Sequence, residues 1–155
     1  MTSPTILPYR PDFKPQFKSL NIEWIEKYFK VEAADLKALD DPDKIIADGG
    51  AIHFADIGGV LVGVCTLVKL PSEHDYDYEL AKMGITPGHQ GKGLGRLLAT
   101  SIVEKARQQG AKTLFLESNR RLTPALTLYA SLGFEELPFS PSVYDRSDIQ
   151  MLLYL

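Results

Sequence analysis

Cysteine is almost missing from this sequence. Cys65 is the only one in 155 residues, so no internal disulfide can form and no cysteine cluster exists to hold a structural metal. The three histidines, His53, His74 and His89, lack metal-ligand spacing, which argues against a metalloenzyme. No stretch approaches the roughly 18 apolar residues of a membrane span. The opening residues, MTSPTILPYR, lack a cationic segment leading into a long apolar run. An excess of positive charge is lacking too. Seventeen Lys and Arg against 20 Asp and Glu leave a formal net charge of -3, which offers no general attraction for nucleic acid. The expectation is a cytoplasmic protein that engages neither membrane nor nucleic acid and uses no metal.

What is present fits one soluble domain over residues 1–155. The chain is long enough to bury most of its apolar surface in a single core, and 45% apolar with 24% charged residues is ordinary globular composition. Thr5 to Tyr9 reads as a strand. Phe17, Leu20, Trp24, Ile25 and Tyr28 recur at spacings of three and four, which predicts a helix from Gln16 to Phe29. Asp40-Asp41-Pro42 splits the next helical stretch in two. The β-rich runs 51–56 and 60–70 flank Gly58-Gly59, a pair suited to a tight hairpin turn. A strand over 78–85, a helix from Leu94 to Gly110 and a strand over 113–117 follow. Thr123-Pro124 reads as an N-cap and first helical residue, and strands over 134–137 and 149–155 close the chain. The fold class is mixed α/β. Cys65, inside the apolar run 60–68, reads as a small buried side chain rather than a reactive thiol.

The chemistry concentrates in Gly88-His89-Gln90-Gly91-Lys92-Gly93-Leu94-Gly95-Arg96, between a strand and a helix start. A helix N-terminus offers unpaired N–H groups and a positive dipole end, and glycines let the backbone wrap a phosphate. A Walker A loop is excluded because Thr86 stands where its leading glycine belongs and Gly93 follows the lysine in place of Ser or Thr. A dinucleotide fingerprint starting at Gly91 fails as well, since its third glycine would fall on Arg96.

Gln90-Gly91-Lys92-Gly93-Leu94-Gly95 resembles the acyl-CoA loop of the GNAT acetyltransferases, in which Gln or Arg is followed by two residues, Gly, one residue, and Gly or Ala. The similarity continues upstream through 79–87 and downstream through 125–134. It implies a mostly antiparallel twisted sheet flanked by helices, with the fourth and fifth strands splayed around the pantetheine arm of CoA. It also implies acetyl-CoA as acyl donor, direct transfer to a primary amine of a small molecule or a protein, and room for a homodimer. The backbone of Met83 and Ile85 would bond pantetheine. Gln90, Gly91, Lys92, Gly93, Leu94, Gly95 and Arg96 would surround the pyrophosphate, with Lys92 and Arg96 equally readable as solvated charges. Glu79 aligns with a family general base, and Tyr129 with a tyrosine beside the CoA sulfur. Leu122 stands where many relatives carry asparagine, so Asn119 becomes the substitute for a pantetheine contact or, equally, a turn cap. Trp24, Tyr28 and Phe29, with Tyr144, Asp145 and Arg146, would wall the acceptor by analogy. The alternative is an acyl-CoA-binding regulatory module without turnover.

Overall fold

The computed structural model describes residues 3–155. β1 (Thr5–Pro8) and a single 3-10 turn over Pro11–Phe13 lead into α1 (Lys14–Tyr28). This helix begins two residues before the sequence-based start because Pro15 sits in its first turn, where a missing N–H is harmless. α2 (Ala33–Leu39) and α3 (Pro42–Ala47) are separated at Asp40 and Asp41 as expected, with the Asp41 carboxylate accepting the Lys44 N–H at 3.2 Å. β2 (Ala51–Ile57) and β3 (Val60–Lys69) form the expected hairpin. Gly58 and Gly59 turn it with φ of 59° and 89°, left-handed values that a residue with a Cβ would resist.

β4 (Tyr78–Ile85), α4 (Leu94–Gln108), β5 (Thr113–Ser118), α5 (Thr123–Ser131), β6 (Glu135–Leu137) and β7 (Ile149–Tyr154) complete the chain. Thr123 is the first helical residue of α5 and not its cap. Leu122 occupies the cap position without a side-chain bond, the local turn being tied by Asn119 instead. The seven strands lie in the order β1-β2-β3-β4-β5-β7-β6. Every neighbouring pair is antiparallel except β4 and β5. A parallel pair needs a long crossover, and α4 supplies it.

Two apolar clusters hold helices to opposite faces of this sheet. Leu98 and Ile102 of α4 pack with Val62, Leu80, Leu114 and Leu116 on one face. Phe17 and Ile25 of α1 and Leu39 of α2 pack with Ile52, Phe54 and Val64 on the other. Each such side chain, once buried, contributes about 1.5–3 kcal/mol. Cys65 lies in the first cluster, and burial pushes its thiol up to about 12, so it acts as a small apolar residue.

Two irregularities of β4 create the site. Val64 pairs with Gly84 but Thr66 pairs with Ala81, so β4 carries one extra residue there. Lys82, with φ of 52°, is the bulged residue and the sole non-glycine at positive φ among the described residues. The insertion reverses the alternation of side chains. Tyr78 and Leu80 point toward the α4 cluster, so Glu79 points the opposite way; beyond the bulge it is Met83 and Ile85 that pack toward α4. Gly84 now faces α1, where the Trp24 indole fills the space a Cβ would need. The second irregularity is brevity: β4 pairs with β5 only at Tyr78–Leu114 and Glu79–Phe115. Past those positions the fourth and fifth strands splay, as the family resemblance implies.

Candidate active site

The parting of β4 and β5 opens a cleft of about 620 Å³ that crosses the sheet from the α4 side to the α1 side. Its α4 end is built for an anion. Gly91 and Gly93 hold φ of 76° and 81°, and a Cβ on either would meet nothing within 4 Å, so the backbone there is bare. Gly93 caps α4 without any side chain reaching back to the first turn, which leaves the N–H groups of that turn free to bond a phosphate. The Gln90 side chain donates to the Ile85 carbonyl at 3.2 Å and fastens the loop to the end of β4. Gln90, Gly91, Gly93, Leu94 and Gly95 all line the cleft, as do Met83 and Ile85. Lys92 and Arg96 do not. Arg96 instead donates to Ser131 Oγ at 2.7 Å, linking α4 to α5.

Midway, Glu79 faces the cleft from β4, without a side-chain hydrogen bond or ion pair among the described residues. Burial pushes its carboxyl up to about 7; the nearby Glu117 adds to the rise and Lys82 opposes it. Glu117, two residues beyond Phe115 on β5, shares the face of Glu79 because side chains alternate along a strand. Its Oε1 accepts from Gln150 Nε2 at 2.8 Å and Ser147 Oγ at 3.2 Å. Glu117 was not among the site residues expected from the sequence. The available signal was a carboxylate at the carboxyl end of an apolar strand, the place where α/β sheets bind ligands.

Tyr129 reaches the cleft from α5. It is 7% exposed and packs edge-on against Phe134. Its hydroxyl has no side-chain hydrogen bond among the described residues. Burial drives its pKa above the usual tyrosine range, with a smaller contribution from Cys65, so the phenol keeps its proton. Asn119 also lines the cleft, but its amide is largely engaged. Oδ1 accepts the Arg121 N–H at 2.8 Å, and Nδ2 donates to the Arg146 carbonyl at 2.7 Å. It ties the turn after β5, and one amide proton is left over.

The α1 end is walled by Trp24, Tyr28, Phe29, Tyr144 and Arg146; Asp145, grouped with them on the sequence, does not line it. Arg146 makes a two-pronged ion pair with Asp35 of α2 at 2.7 and 2.6 Å and contacts Glu32 at 3.3 Å. The Asp145 N–H adds a bond to Glu32 at 2.9 Å. Lys82, the bulged residue, donates to Tyr144 Oη at 2.7 Å and lies 3.5 Å from Asp35. These contacts join α2, β4 and the segment before β7. Among the described residues no three His, Cys, Asp or Glu side chains converge to hold a metal ion, and no helix is long and apolar enough to cross a membrane.

Solved structures share this architecture. A GNAT-family acetyltransferase from Staphylococcus aureus Mu50 superposes with a TM-score of 0.85 at 19% identity, covering 98% of this chain and 99% of that one. The PaiA N-acetyltransferase of Thermoplasma acidophilum, solved with coenzyme A, gives 0.76 at 14% identity and 99% coverage of both chains. At such identities the likeness is one of fold. In sequence, the chain is 35% identical over 92 residues to YjgM, an uncharacterized N-acetyltransferase of Escherichia coli K12, covering 59% of this chain and 55% of that protein. It is 34% identical over 80 residues to the N-alpha-acetyltransferase RimI of Mycobacterium tuberculosis, covering 52% and 49%. The chain thus spans about half the length of these curated relatives. The family model described as "Acetyltransferase (GNAT) family" matches residues 16–134, from the first turn of α1 to the residue before β6. With that match across most of its length, on a sheet split between β4 and β5, the chain belongs to the GNAT acetyltransferase family.

Proposed function

We propose that this protein takes an acetyl group from acetyl-CoA and transfers it to a primary amine of a small molecule or a protein, working in the cytoplasm. One observation carries the proposal: an uncapped helix N-terminus and a carboxylate with pKa near 7 face the same cleft between diverging strands. The bare backbone of Gly91 to Gly95 fits a pyrophosphate, with Lys92 and Arg96 adding positive charge nearby. The β4 edge beyond Glu79 has backbone groups that β5 does not take up. Those near Met83 and Ile85 suit the amide-bearing pantetheine arm, with Asn119 offering its remaining amide proton from the far side. RimI of M. tuberculosis is named for acetylating α-amino groups, which keeps protein amino groups among the candidates.

The bound thioester would supply the acyl electrophile. Glu79 would receive a proton from the incoming ammonium, since the nitrogen can attack only as the neutral amine. In the transfer the nitrogen bonds the acyl carbon, the C–S bond breaks, and the departing sulfur takes its electron pair and the Tyr129 proton; the nitrogen's second proton leaves to solvent, from which the tyrosinate recovers one. A backbone N–H near Ile85 would polarise the thioester oxygen. Cys65, buried and protonated, takes no covalent part. A regulatory module that merely binds acyl-CoA would have no use for a base and a phenol at opposite walls of one cleft.

Amine-dependent release of free thiol from acetyl-CoA tests the proposal, and cofactor binding without release with any amine would leave the regulatory reading. Tyr129→Phe is expected to lower kcat by about 10- to 1,000-fold while changing CoA affinity less than about threefold, because the lost bond strengthens as the sulfur departs. Equal turnover would remove Tyr129 from the chemistry. Gly93→Val is expected to weaken acetyl-CoA binding at least about tenfold by calorimetry. Valine is strained at φ of 81° and projects into the phosphate cradle. Unchanged affinity in the folded variant would move the pyrophosphate elsewhere.

A further inference from the structure

The acceptor end of the cleft has a charge pattern that selects among amines. Its two cationic side chains are both neutralised within the protein. Arg146 is paired with Asp35 and Glu32, and Lys82 lies against Asp35. Asp35 is fully buried and the Arg146 and Lys82 side chains are 15% and 9% exposed, so little of either cation is left to meet an incoming anion. Both cations also rest on the Tyr144 ring, at 4.6 and 4.8 Å from its centroid. The exposed Arg121 stacks on Phe29 at 4.7 Å but lies outside the lining. The carboxylates, in contrast, are compensated only by the Lys82 charge acting on Glu79 from beyond ion-pair distance. Glu79 has no ion pair among the described residues, and Glu117 receives only the neutral donors Ser147 and Gln150. Past Glu79 the lining turns apolar, with Ala38, Ile45 and Val68 of α2, α3 and β3 joining the aromatic Trp24 and Tyr28.

We propose that the acceptor is a small primary amine on an uncharged, apolar aryl or alkyl body, with no carboxylate beside the amine. The ammonium is drawn to Glu79 and Glu117, and its apolar body lies among Trp24, Tyr28, Ala38, Ile45 and Val68. A carboxylate on the neighbouring carbon would enter the same electronegative pocket with no free cation among the described residues to meet it. The size of the cleft, about 620 Å³ for the donor arm and the acceptor together, fits a small molecule better than a peptide. The ties between α2 and the segment 144–146 close that end further. This inference rests on the acetyl-transfer reading of the cleft.

The test measures thiol release at saturating acetyl-CoA with four acceptors: 2-phenylethylamine, phenylalanine, spermidine and a phenylalanine-headed tripeptide amide. 2-Phenylethylamine and phenylalanine differ only by the carboxylate. The expected result is a kcat/KM for 2-phenylethylamine on the order of 100-fold above that for phenylalanine, and above those for the other two. Phenylalanine used equally well, or spermidine or the tripeptide used in preference, overturns this inference and leaves acetyl transfer standing. Thiol release with none of the four, nor with a wider amine panel, overturns both. Glu117→Gln supplies the second measurement. It should narrow the gap between 2-phenylethylamine and phenylalanine at least about tenfold with acetyl-CoA affinity unchanged, whereas a merely structural role would slow both acceptors alike.

Discussion

Glu79→Gln is expected to cost about 100- to 10,000-fold in kcat/KM near neutral pH while acetyl-CoA still binds, because the amide keeps the carboxyl's shape and loses its basicity. The pH dependence separates this from a packing defect. A base works only when deprotonated, so wild-type kcat/KM should fall about tenfold per pH unit below about 7. The variant should lose that limb and recover partly as rising pH supplies neutral amine. Stability should move the other way. The folded-state pKa, about 7, lies above the ordinary 4.5, so the folded protein favours the protonated acid and is progressively destabilised between those values as pH rises. Glu79→Gln should therefore unfold at higher denaturant than wild type at pH 8, by on the order of 1–3 kcal/mol, with the difference vanishing below about pH 4.5. An unchanged rate profile with chemistry limiting would take Glu79 out of the proton path.

Arg146→Leu is expected to destabilise the protein by about 3–5 kcal/mol, the cost of leaving a buried charge without its partner. Asp35 has no solvent exposure, and without Arg146 it would keep only the Lys82 ammonium at 3.5 Å and the Glu32 N–H at 2.9 Å. Burial alone would raise the Asp35 carboxyl; hydrogen bonds from Arg146 and the Glu32 N–H, with the charges of Arg146 and Lys82, outweigh it and hold the pKa below the ordinary value. The stabilisation from Asp35 is thus complete above its unfolded pKa, near 3.8, and is lost as pH falls through the lower folded value. Urea unfolding at pH 7 checks the size of the effect. The double variant Asp35→Leu with Arg146→Leu, which removes the charge along with its partner, should recover part of the loss. If Arg146→Leu were no less stable than wild type, the buried pair would be energetically idle.

Much of the fold was legible because local chemistry punctuates it. Gly58-Gly59 had to turn a hairpin, Asp41-Pro42 had to restart a helix, and glycines at 91 and 93 before an apolar helix announced a bare backbone at a helix N-terminus. Thr123 misled because the propensity of threonine for caps was satisfied by no bond, while Asn119 organised the turn several residues earlier. The bulge in β4 left no mark, since lysine has no preference for a left-handed backbone; it arises from pairing with β3. At the site, the residues proposed from the sequence gather in one cleft, apart from Lys92, Arg96 and Asp145. The Asp35–Arg146 pair was invisible because its members lie 111 positions apart, and neither residue type signals burial.

The short seam between β4 and β5 leaves open strand edges inside the protein. On an outer surface such an edge recruits other chains and seeds aggregation. Here helices flank it, with Trp24 and Tyr28 of α1 on one face and Leu94, Leu128 and Tyr129 of α4 and α5 on the other. An invading polypeptide strand would have to place side chains on both faces at every second residue, and those helices stand in the way. A thin, unbranched chain carrying amides but no side chains meets no such obstacle. The fold thus keeps its hydrogen-bonding edge open to a molecule of one shape while denying it to other proteins, a filter set by thickness before any single side chain is consulted.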